Sequence, residues 1–329
     1  MSAILVVGGA GYIGSATSRF LRNKGYEVVV LDNLSKGHRE AVPEETALIE
    51  GDLGDRARIV EICKEYSIKT ALHFAAFTQV GESVEQPSMY FDNNSFRTKN
   101  LLDGLVEAGV DQFIFSSTAA VYGEPHEIPI SEDHPKSPTN PYGWSKLFVE
   151  EMLESYRVAY GLRSVRLRYF NAAGALDGHG EDHTPEAHLI PLVLQVALGQ
   201  RNSISIFGTD WETPDGTCIR DYIHIADLAK AHFQAMEWLD SGSQGGFFNL
   251  GNGEGHSVKE VIETSREVTG HSIPVVETDR RPGDPARLVA SNQKAKEVLG
   301  WEPDHPTLKE IVGTAWEWHR THPNGYQSQ

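Results

Sequence analysis

The stretch Ile4-Leu5-Val6-Val7-Gly8-Gly9-Ala10-Gly11-Tyr12-Ile13-Gly14 decides the fold of this chain. A short β-branched run leads directly into glycines spaced three residues apart, and a helical apolar pattern then continues to Leu21. Glycines at these places let the turn close, let a pyrophosphate approach the backbone and let the helix pack on its strand. Because the helix N-terminus then faces the phosphates, the pattern predicts a strand, a dinucleotide-binding turn and a helix.

A second apolar run, Glu27-Val28-Val29-Val30-Leu31-Asp32, ends in an acid about 20 residues after the glycines. An Asp at that place accepts hydrogen bonds from ribose hydroxyls and repels a 2′-phosphate, so NAD is favoured over NADP. A glycine turn without a ligand is the alternative. The succession of strand, glycines, helix, strand and acid in register argues against that alternative.

The alternation of strands and helices continues through the first half of the chain. Further strands are predicted at 47–53, 70–76, 112–118 and 162–169, and intervening helices end near 65 and 108. Strands this rich in Val, Ile and Phe indicate a parallel sheet covered on both faces. The fold class is therefore α/β, a Rossmann-type doubly wound parallel sheet with a smaller mixed α/β substrate domain. Ligands of such sheets bind beyond the carboxyl ends of the strands, which here are Gly8, Asp32, Asp52, 74–76 and 116–118.

The composition changes after the strand at 162–169. Residues 174–185 are rich in Gly, Asp, Glu and His, as expected of a loop over a site, and the remainder mixes helices such as 189–198 with short strands such as 203–207. We predict an NAD-binding Rossmann domain at 1–172, completed by parts of 221–250. Residues 173–329 mainly form the substrate domain and end in a polar tail at 323–329.

Composition restricts the compartment and the partners. The formal charge of −17 opposes binding to nucleic acid or anionic lipid, and no run reaches the ~18 apolar residues of a membrane span. The chain starts without a basic segment and so without a signal peptide, and it has only two cysteines, Cys63 and Cys218. These features predict a cytoplasmic protein without a disulfide framework.

The stretch Pro141-Tyr142-Gly143-Trp144-Ser145-Lys146 is the predicted chemical centre. Tyr142 and Lys146 are four residues apart and share one face of a helix. A phenol titrates near pH ~10, but a fixed ammonium group beside it favours the phenolate and lowers its pKa. Tyr142 is therefore a candidate base. The alternative is an ordinary helix start with both side chains on a solvated face.

These motifs, taken together, resemble the UDP-glucose 4-epimerase family, a branch of the extended short-chain dehydrogenases/reductases. The likeness covers nearly the whole chain and rests on many motifs in one order. They are the glycine turn, Asp32-Asn33-Leu34, His73-Phe74-Ala75-Ala76, Val80-Gly81-Glu82-Ser83, Asn93-Asn94, Phe115-Ser116-Ser117-Thr118, Tyr142 with Lys146, Arg168-Tyr169-Phe170-Asn171 and Arg220-Asp221-Tyr222-Ile223-His224.

The resemblance implies roles for individual residues. Tyr142 would accept and return the proton of the sugar 4-hydroxyl, Lys146 would hold the nicotinamide ribose and lower the pKa of the phenol, and Thr118 would hydrogen-bond the same hydroxyl. Thr118 stands where many members have Ser. The alternative role for Thr118 is structural: a loop hydroxyl that hydrogen-bonds a nearby backbone group. The implied NAD contacts are Gly8, Gly11, Tyr12, Ile13, Gly14, Asp32, Asn33, Asp52, Leu53, Phe74, Ala75, Ala76, Asn93, Tyr142, Lys146 and Phe170.

The implied reaction interconverts UDP-galactose and UDP-glucose. Hydride passes from sugar C4 to tightly bound NAD, the 4-keto sugar turns over, and the hydride returns to the opposite face. A homodimer through helices at 93–108 and 145–160 is also implied. The implied substrate contacts are Thr118, Tyr142, Asn171, His188, Leu189, Arg220, Arg281, Asp284 and Leu288. Arginines suit a pyrophosphate; the alternatives are a surface ion pair of Arg220 with Asp221 and a charged turn at 280–284.

Several positions depart from the family pattern. Thr78 stands where some members have Lys near the cofactor phosphates, and His188 stands where others have Asn. Leu288 stands where some members carry a bulky Tyr, so N-acetylated UDP-sugars are a possible substrate class. A 4-epimerase of UDP-GlcNAc/GalNAc, of a UDP-pentose or of a UDP-uronate is therefore an alternative.

The residues argue against two other functions and against a metal site. A dehydratase needs an acid and a base after Thr118, where this chain has Ala119-Ala120. A non-catalytic NAD-binding protein would not need Thr118, Tyr142 and Lys146 together. The crowding of Glu181, Asp182, His183, Glu186 and His188 is more typical of loop polarity than of metal ligands, so no metal site is predicted.

Overall fold

The computed structural model describes residues 3–281 and 284–326. Pro282 and Gly283 of the predicted charged turn and residues 327–329 of the predicted tail lie outside this part of the chain. The described strands are β1 Ile4–Val7, β2 Val28–Asp32, β3 Ala47–Glu50, β4 Thr70–His73, β5 Gln112–Thr118, β6 Arg163–Tyr169, β7 Asn171–Ala173, β8 Ile204–Phe207, β9 Ile219–Arg220, β10 Tyr222–His224, β11 Gly245–Leu250, β12 His256–Ser257, β13 Val275–Thr278 and β14 Arg287–Leu288.

The helices pack on both sides of these strands. They are α1 Tyr12–Asn23, α2 Arg56–Glu65, α3 Val80–Glu85, α4 Pro87–Tyr90, α5 Arg97–Ala108, α6 Pro141–Tyr160, α7 Leu189–Ala197, α8 Ile225–Asp240, α9 Val258–Thr269, α10 Gln293–Leu299 and α11 Leu308–Thr321. Within the described residues, no helix is both long enough and apolar enough to cross a membrane.

The largest sheet has seven parallel strands in the order β11-β6-β5-β4-β1-β2-β3. The chain builds outward from β1 to β3, then returns to β4 and builds in the other direction. The strand order therefore reverses between β1 and β4, where a doubly wound sheet opens its ligand crevice. This confirms the predicted Rossmann-type α/β fold.

Both faces of the sheet are buried, because successive side chains of a strand point to opposite sides. Leu5 and Val29 face a core built with α2, α5 and α6, whereas Val6 and Val30 face a second core that includes Leu228 and Leu239 of α8. Parallel strands buried on both faces read as continuous apolar runs, which is why their sequences could be recognised.

The smaller sheets lie after β6. Strand β7 pairs with β10, β9 lies between β12 and β14, and β8 pairs with β13. Helices α7, α9 and α11 pack together through apolar clusters beside these strands. The stretch 221–250 contributes differently, because its strand β11 is an edge of the large sheet and its helix α8 packs against α1.

Several predicted boundaries were wrong. The predicted strands 47–53 and 70–76 end earlier, at Glu50 and His73. The helix predicted from 93 begins at Arg97, after a wide helical turn at Phe91–Phe96. Strand β7, which follows β6 after one residue, was not predicted; it leaves the large sheet and pairs with β10. Each difference depends on a long-range contact that local sequence does not carry.

Candidate active site

The glycine turn between β1 and α1 presents bare backbone to the crevice. A Cβ at Gly8 would lie 2.4 Å from the amide nitrogen of Ala75, and a Cβ at Gly14 would lie 2.2 Å from the carbonyl oxygen of Gly8. Side chains at these positions would force the turn, the helix and the β4 end apart. The close packing of three segments explains the glycines and leaves main-chain N–H groups at the helix N-terminus free for a diphosphate.

Asp32 lies at the end of β2 beside this turn. Its Oδ2 accepts a hydrogen bond from Ala10 N and its Oδ1 accepts one from Leu34 N, both at 2.9 Å. Burial raises the pKa of this carboxyl, and the two backbone hydrogen bonds oppose that rise. Each carboxylate oxygen keeps a further acceptor position, so the residues present fit an NAD ribose.

Asp52, one of the predicted NAD contacts, follows β3. Its carboxylate accepts hydrogen bonds from Arg97 Nη1 at 2.6 Å and from Gly54 N at 2.8 Å. It is therefore held in place by its own surroundings, next to Asn33. Asn93 is also engaged within the chain, because its Nδ2 donates to Oδ1 of Asn94.

Helix α6 carries the predicted chemical centre and begins where its sequence specifies. The Asn140 side chain caps the helix by accepting a hydrogen bond from Gly143 N at 2.9 Å, and Pro141 occupies the first turn. Tyr142 is thereby placed in the first turn. Its ring packs edge-to-face with the ring of Tyr90, and the two ring centres are 6.4 Å apart. Lys146 follows one turn later and is buried.

Tyr142, Thr118 and Lys146 come together at the carboxyl end of β5. Burial raises the pKa of the Tyr142 phenol, while a hydrogen-bonding interaction with the Thr118 hydroxyl acts in the opposite direction. Thr118 Oγ1 also accepts a hydrogen bond from Ala120 N at 3.1 Å, so the backbone-satisfying role weighed as the alternative is present too. One hydroxyl oxygen can serve both contacts.

Lys146 is held against the end of β5. Its Nζ donates a hydrogen bond to the carbonyl oxygen of Ser116 at 2.8 Å and lies 4.9 Å from the centre of the Phe115 ring. Burial lowers the pKa of Lys146 to about 7. Among the residues of the chain, Thr118 opposes the rise that burial causes in the Tyr142 pKa, and the effect of Lys146 on the phenol stays a prediction.

The sequence interpretation missed a polar chain beneath Lys146. Tyr169 Oη hydrogen-bonds Ser116 Oγ at 2.9 Å and also contacts His232 Nε2, while His232 Nδ1 donates to Leu228 O at 2.8 Å. Burial lowers the pKa of His232 to about 4, so this imidazole is neutral. These hydrogen bonds fix Ser116 at the end of β5, and the main-chain carbonyl oxygen of Ser116 accepts the hydrogen bond from Lys146. A lone histidine within an amphipathic helix gave no local signal of this role.

The loop at 174–188 covers the glycine turn and is anchored from that side. Tyr12 Oη donates to Gly174 O at 2.6 Å, Lys36 Nζ donates to Thr184 O at 2.9 Å, and Gln79 Nε2 donates to Pro185 O at 2.9 Å. Tyr12, predicted as a cofactor contact, thus also holds the loop. These bonds tie the loop to the segments that follow β1, β2 and β4.

Across the crevice, the small sheets hold the predicted substrate residues. Arg220 lies opposite Leu288 in the β9–β14 pair, and its Nη2 is 3.6 Å from Oδ1 of Asp284. Asn171 donates its main-chain N–H to Asp221 O. The alternative ion pair between Arg220 and Asp221 is wrong, because buried Asp221 accepts main-chain hydrogen bonds from Asn252, Gly253 and Ala290.

Two aromatic residues in this region were also missed by the sequence interpretation. The guanidinium of Arg281 lies 4.2 Å from the centre of the half-exposed Phe207 ring, and that of Arg280 lies 4.1 Å from the Trp211 ring. Arg280 is further engaged by Asp210, at 2.7 Å. An aromatic residue followed by glycine at a strand end was the available signal for Phe207.

His188 and Leu189 lie at the start of α7. His188 is the residue before the helix, and its Nδ1 is 2.7 Å from Glu181 Oε1 and 2.9 Å from Glu186 Oε1. The attraction of Glu181 raises the pKa of His188 well above its usual value, against the effect of burial. The imidazole therefore faces the two carboxylates, and the free N–H groups at the start of α7 remain for an anion.

This chain is similar to known proteins in both sequence and structure. The family model described as NAD dependent epimerase/dehydratase family matches residues 4–251. A UDP-glucose 4-epimerase of Halalkalibacterium halodurans is 56% identical over 99% of this chain and 98% of its own length. A structure of UDP-glucose 4-epimerase from Brucella ovis in complex with NAD has a TM-score of 0.94 and 47% identity, covering 96% of this chain and 98% of that chain. One from Bifidobacterium longum in complex with NAD+ and UDP has a TM-score of 0.93 and 39% identity, covering 99% and 100%.

Proposed function

The chain belongs to the NAD dependent epimerase/dehydratase family, and we propose that it interconverts UDP-galactose and UDP-glucose as a 4-epimerase. It is an NAD-dependent isomerase. The observation that carries the proposal is the grouping of half-buried Tyr142 with buried Thr118 and Lys146 at the end of β5, on the same edge of the sheet as the glycine turn.

Tyr142 acts as the proton acceptor and donor at the sugar 4-hydroxyl. Its phenol is positioned by the capped start of α6, beside the Thr118 hydroxyl, which contacts the same substrate hydroxyl. NAD held at the glycine turn and Asp32 would supply the hydride acceptor for sugar C4 and the donor for the return step. Lys146, fixed by the Ser116 carbonyl, contributes a donor for the nicotinamide ribose and a nearby positive charge when protonated.

The small sheets and the start of α7 bind the UDP part, so that the sugar can present either face to Tyr142. Arg220 and the N–H groups at the start of α7 suit the diphosphate, Asp284 suits ribose hydroxyls, and the exposed Phe207 ring offers a stacking surface for the base. Asn171, His188, Arg281 and Leu288 complete the proposed substrate contacts.

We also propose a domain division, a homodimer and a cellular location for this enzyme. Residues 1–172 with parts of 221–250 form the NAD-binding domain, and the rest of 173–329 forms most of the substrate domain; β11 and α8 support this division by joining the large sheet. A homodimer through α5 and α6 is supported by exposed Phe148 and Val158 on α6. We place the enzyme in the cytoplasm, in galactose metabolism, on the strength of two free buried cysteines and the proposed substrate.

The test is incubation of the purified protein with UDP-galactose and no added NAD. We expect UDP-glucose to form, because the hydride returns to the sugar and no external reductant is consumed. Chromatography of the nucleotide sugars measures the reaction, and release of NAD from denatured protein measures cofactor retention. Absence of conversion, even with NAD supplied, would overturn the proposed function.

A further inference from the structure

The loop that precedes α7 brings together side chains that the sequence interpretation treated as ordinary loop polarity. Glu181, His183, Glu186 and His188 each direct one ligand-type atom to a common point, and these atoms all lie within 4.8 Å of one another. Asp182, which also belonged to the sequence cluster, faces elsewhere, because its Oδ2 accepts a hydrogen bond from Tyr326 N. The fold therefore selects two imidazoles and two carboxylates from the five.

The four ligand-type atoms are close enough to converge on one ion after small movements. Glu181 Oε1 is 3.0 Å from His183 Nδ1 and 2.7 Å from His188 Nδ1, which are hydrogen-bond distances. Glu186 Oε1 is 2.9 Å from His188 Nδ1, and the other oxygen, Oε2, is 3.9 Å from His183 Nδ1. Because ligands at ~2.0–2.2 Å from a tetrahedral ion lie roughly 3.3–3.6 Å from each other, the three closest pairs would separate by about 0.3–0.9 Å to admit the ion.

The carboxylates are placed as ligands rather than as solvated surface groups. The side chain of Glu181 is 5% exposed and that of Glu186 is 7% exposed. Glu186 Oε1 is oriented by main-chain hydrogen bonds from Ala187 N at 2.7 Å and from His188 N at 2.8 Å. Two buried carboxylates that share one small volume are favoured by a positive charge between them, which a divalent cation would supply with the imidazoles as neutral ligands.

We propose that Glu181, His183, Glu186 and His188 form a structural binding site for a divalent transition-metal cation, with zinc as the best match. A set of two imidazoles and two carboxylates suits Zn²⁺ better than Mg²⁺ or Ca²⁺, which prefer six or more oxygen ligands. A cavity of about 150 Å³ beside the cluster gives an ion a route to the ligands. Its lining includes Glu181, His183 and Glu186 from the loop and Trp318, His319 and His322 from the C-terminal part of the chain.

The position of the site explains what the cation would do. His188 is the residue before α7, and the His183 ring lies 6.3 Å from the ring of Tyr12, which bonds the start of the same loop. A cation held by four ligands from one loop would fix the covering loop over the glycine turn and fix the start of α7. With no free coordination position, its role is structural and not catalytic.

Zinc binding by untagged, chelator-treated protein tests the proposal. We expect calorimetric titration with ZnCl₂ to show one saturable site per chain, and CoCl₂ to give the visible absorption of a four-coordinate ion. Glu181→Gln and His183→Gln should each weaken zinc binding by at least about tenfold. His271→Gln removes an exposed imidazole outside the cluster and should bind zinc like the wild type.

The opposite result is equally definite. A wild-type protein that binds neither ZnCl₂ nor CoCl₂ saturably, or variants that bind zinc as well as the wild type does, would overturn the site and leave a proton shared between His188 and the carboxylates. Circular dichroism of each variant separates lost ligands from lost folding. Because the UDP-galactose assay is run separately, failure of the metal site is distinguishable from failure of the proposed epimerase function.

Discussion

The ammonium group of Lys146 donates a hydrogen bond to the main-chain carbonyl oxygen of Ser116, 2.8 Å away. This bond joins the first turns of α6 to the end of β5, the two elements that carry Tyr142 and Thr118. The lysine is thereby fixed against the strand. Burial raises the pKa of the Tyr142 phenol, and the Thr118 hydroxyl opposes that rise.

Tyr142→Phe should separate catalysis from cofactor binding. Loss of the phenolic oxygen removes the proton acceptor, so kcat with UDP-galactose should fall by roughly 10²–10⁴-fold. The phenyl ring keeps its packing against Tyr90, and NAD content should remain that of the wild type. Tyr160→Phe, on the same helix but 62% exposed, is the matched control. Unchanged turnover in Tyr142→Phe would favour a non-catalytic NAD-binding protein.

Lys146→Met should stabilise the fold at neutral and acid pH while abolishing turnover. The pKa of Lys146 is about 7 in the folded chain against 10.5 for an ordinary lysine. Below pH 7 the folded protein carries the full cost of a buried ammonium, and that cost disappears as pH rises towards 10.5. After the loss of the Ser116 hydrogen bond, we expect a net gain of roughly 2–4 kcal/mol at pH 6.

Urea unfolding at several pH values measures this difference. The gain should shrink steadily between pH 7 and pH 10. Lys296→Met, which removes an exposed lysine from α10, should show no such trend. A stability difference that stays constant over this range would contradict the assignment of a buried, titrating Lys146.

Gly14→Ala should release the cofactor. The added Cβ would lie 2.2 Å from Gly8 O, so α1 must move away from the turn that is proposed to hold the diphosphate. We expect NAD content to fall at least about tenfold and the protein to lose roughly 1–3 kcal/mol of stability. Gly313→Ala is the control, because that helical glycine has open space at its Cβ position. Retention of NAD by Gly14→Ala would argue against this binding mode.

Leu288→Tyr should narrow substrate choice. Leu288 packs beside an apolar cluster formed by Val121, Tyr122, Ile130 and Leu147, at the strand position opposite Arg220. We expect the wild type to convert UDP-GlcNAc as well as UDP-Glc. The larger Tyr side chain should lower kcat/KM for UDP-GlcNAc, relative to kcat/KM for UDP-Glc, at least about tenfold. Leu288→Met conserves volume and should preserve the ratio. No detectable UDP-GalNAc from the wild type would rule out the broader substrate range.

Much of the fold was predictable because its signals are local. Strand β5 was predicted with the bounds observed, since a buried parallel strand is a continuous apolar run between polar residues. The glycine turn and Asp32 follow from backbone sterics, which a short motif carries completely. The start of α6 was likewise readable from Pro141 in its first turn.

Other features depend on contacts between distant segments. The wide turn at Phe91–Phe96 before α5 lies against α6, and the pairing of β7 with β10 joins residues about 50 positions apart. No local pattern specifies such partners, because the energy that selects them is gained only when the chain has folded. The stacking of Arg281 on Phe207 belongs to the same class.

The sequence by itself determined the doubly wound sheet, the dinucleotide turn and the residues available for hydride chemistry, because glycine spacing and apolar runs act within short segments. Only the tertiary structure decided which groups meet. It turned Lys146 to the Ser116 carbonyl, joined Arg220 to Asp284, and selected Glu181, His183, Glu186 and His188 from a polar loop. Charge and hydrogen bonding act over a few ångströms, so their outcome depends on distances that the order of residues does not contain.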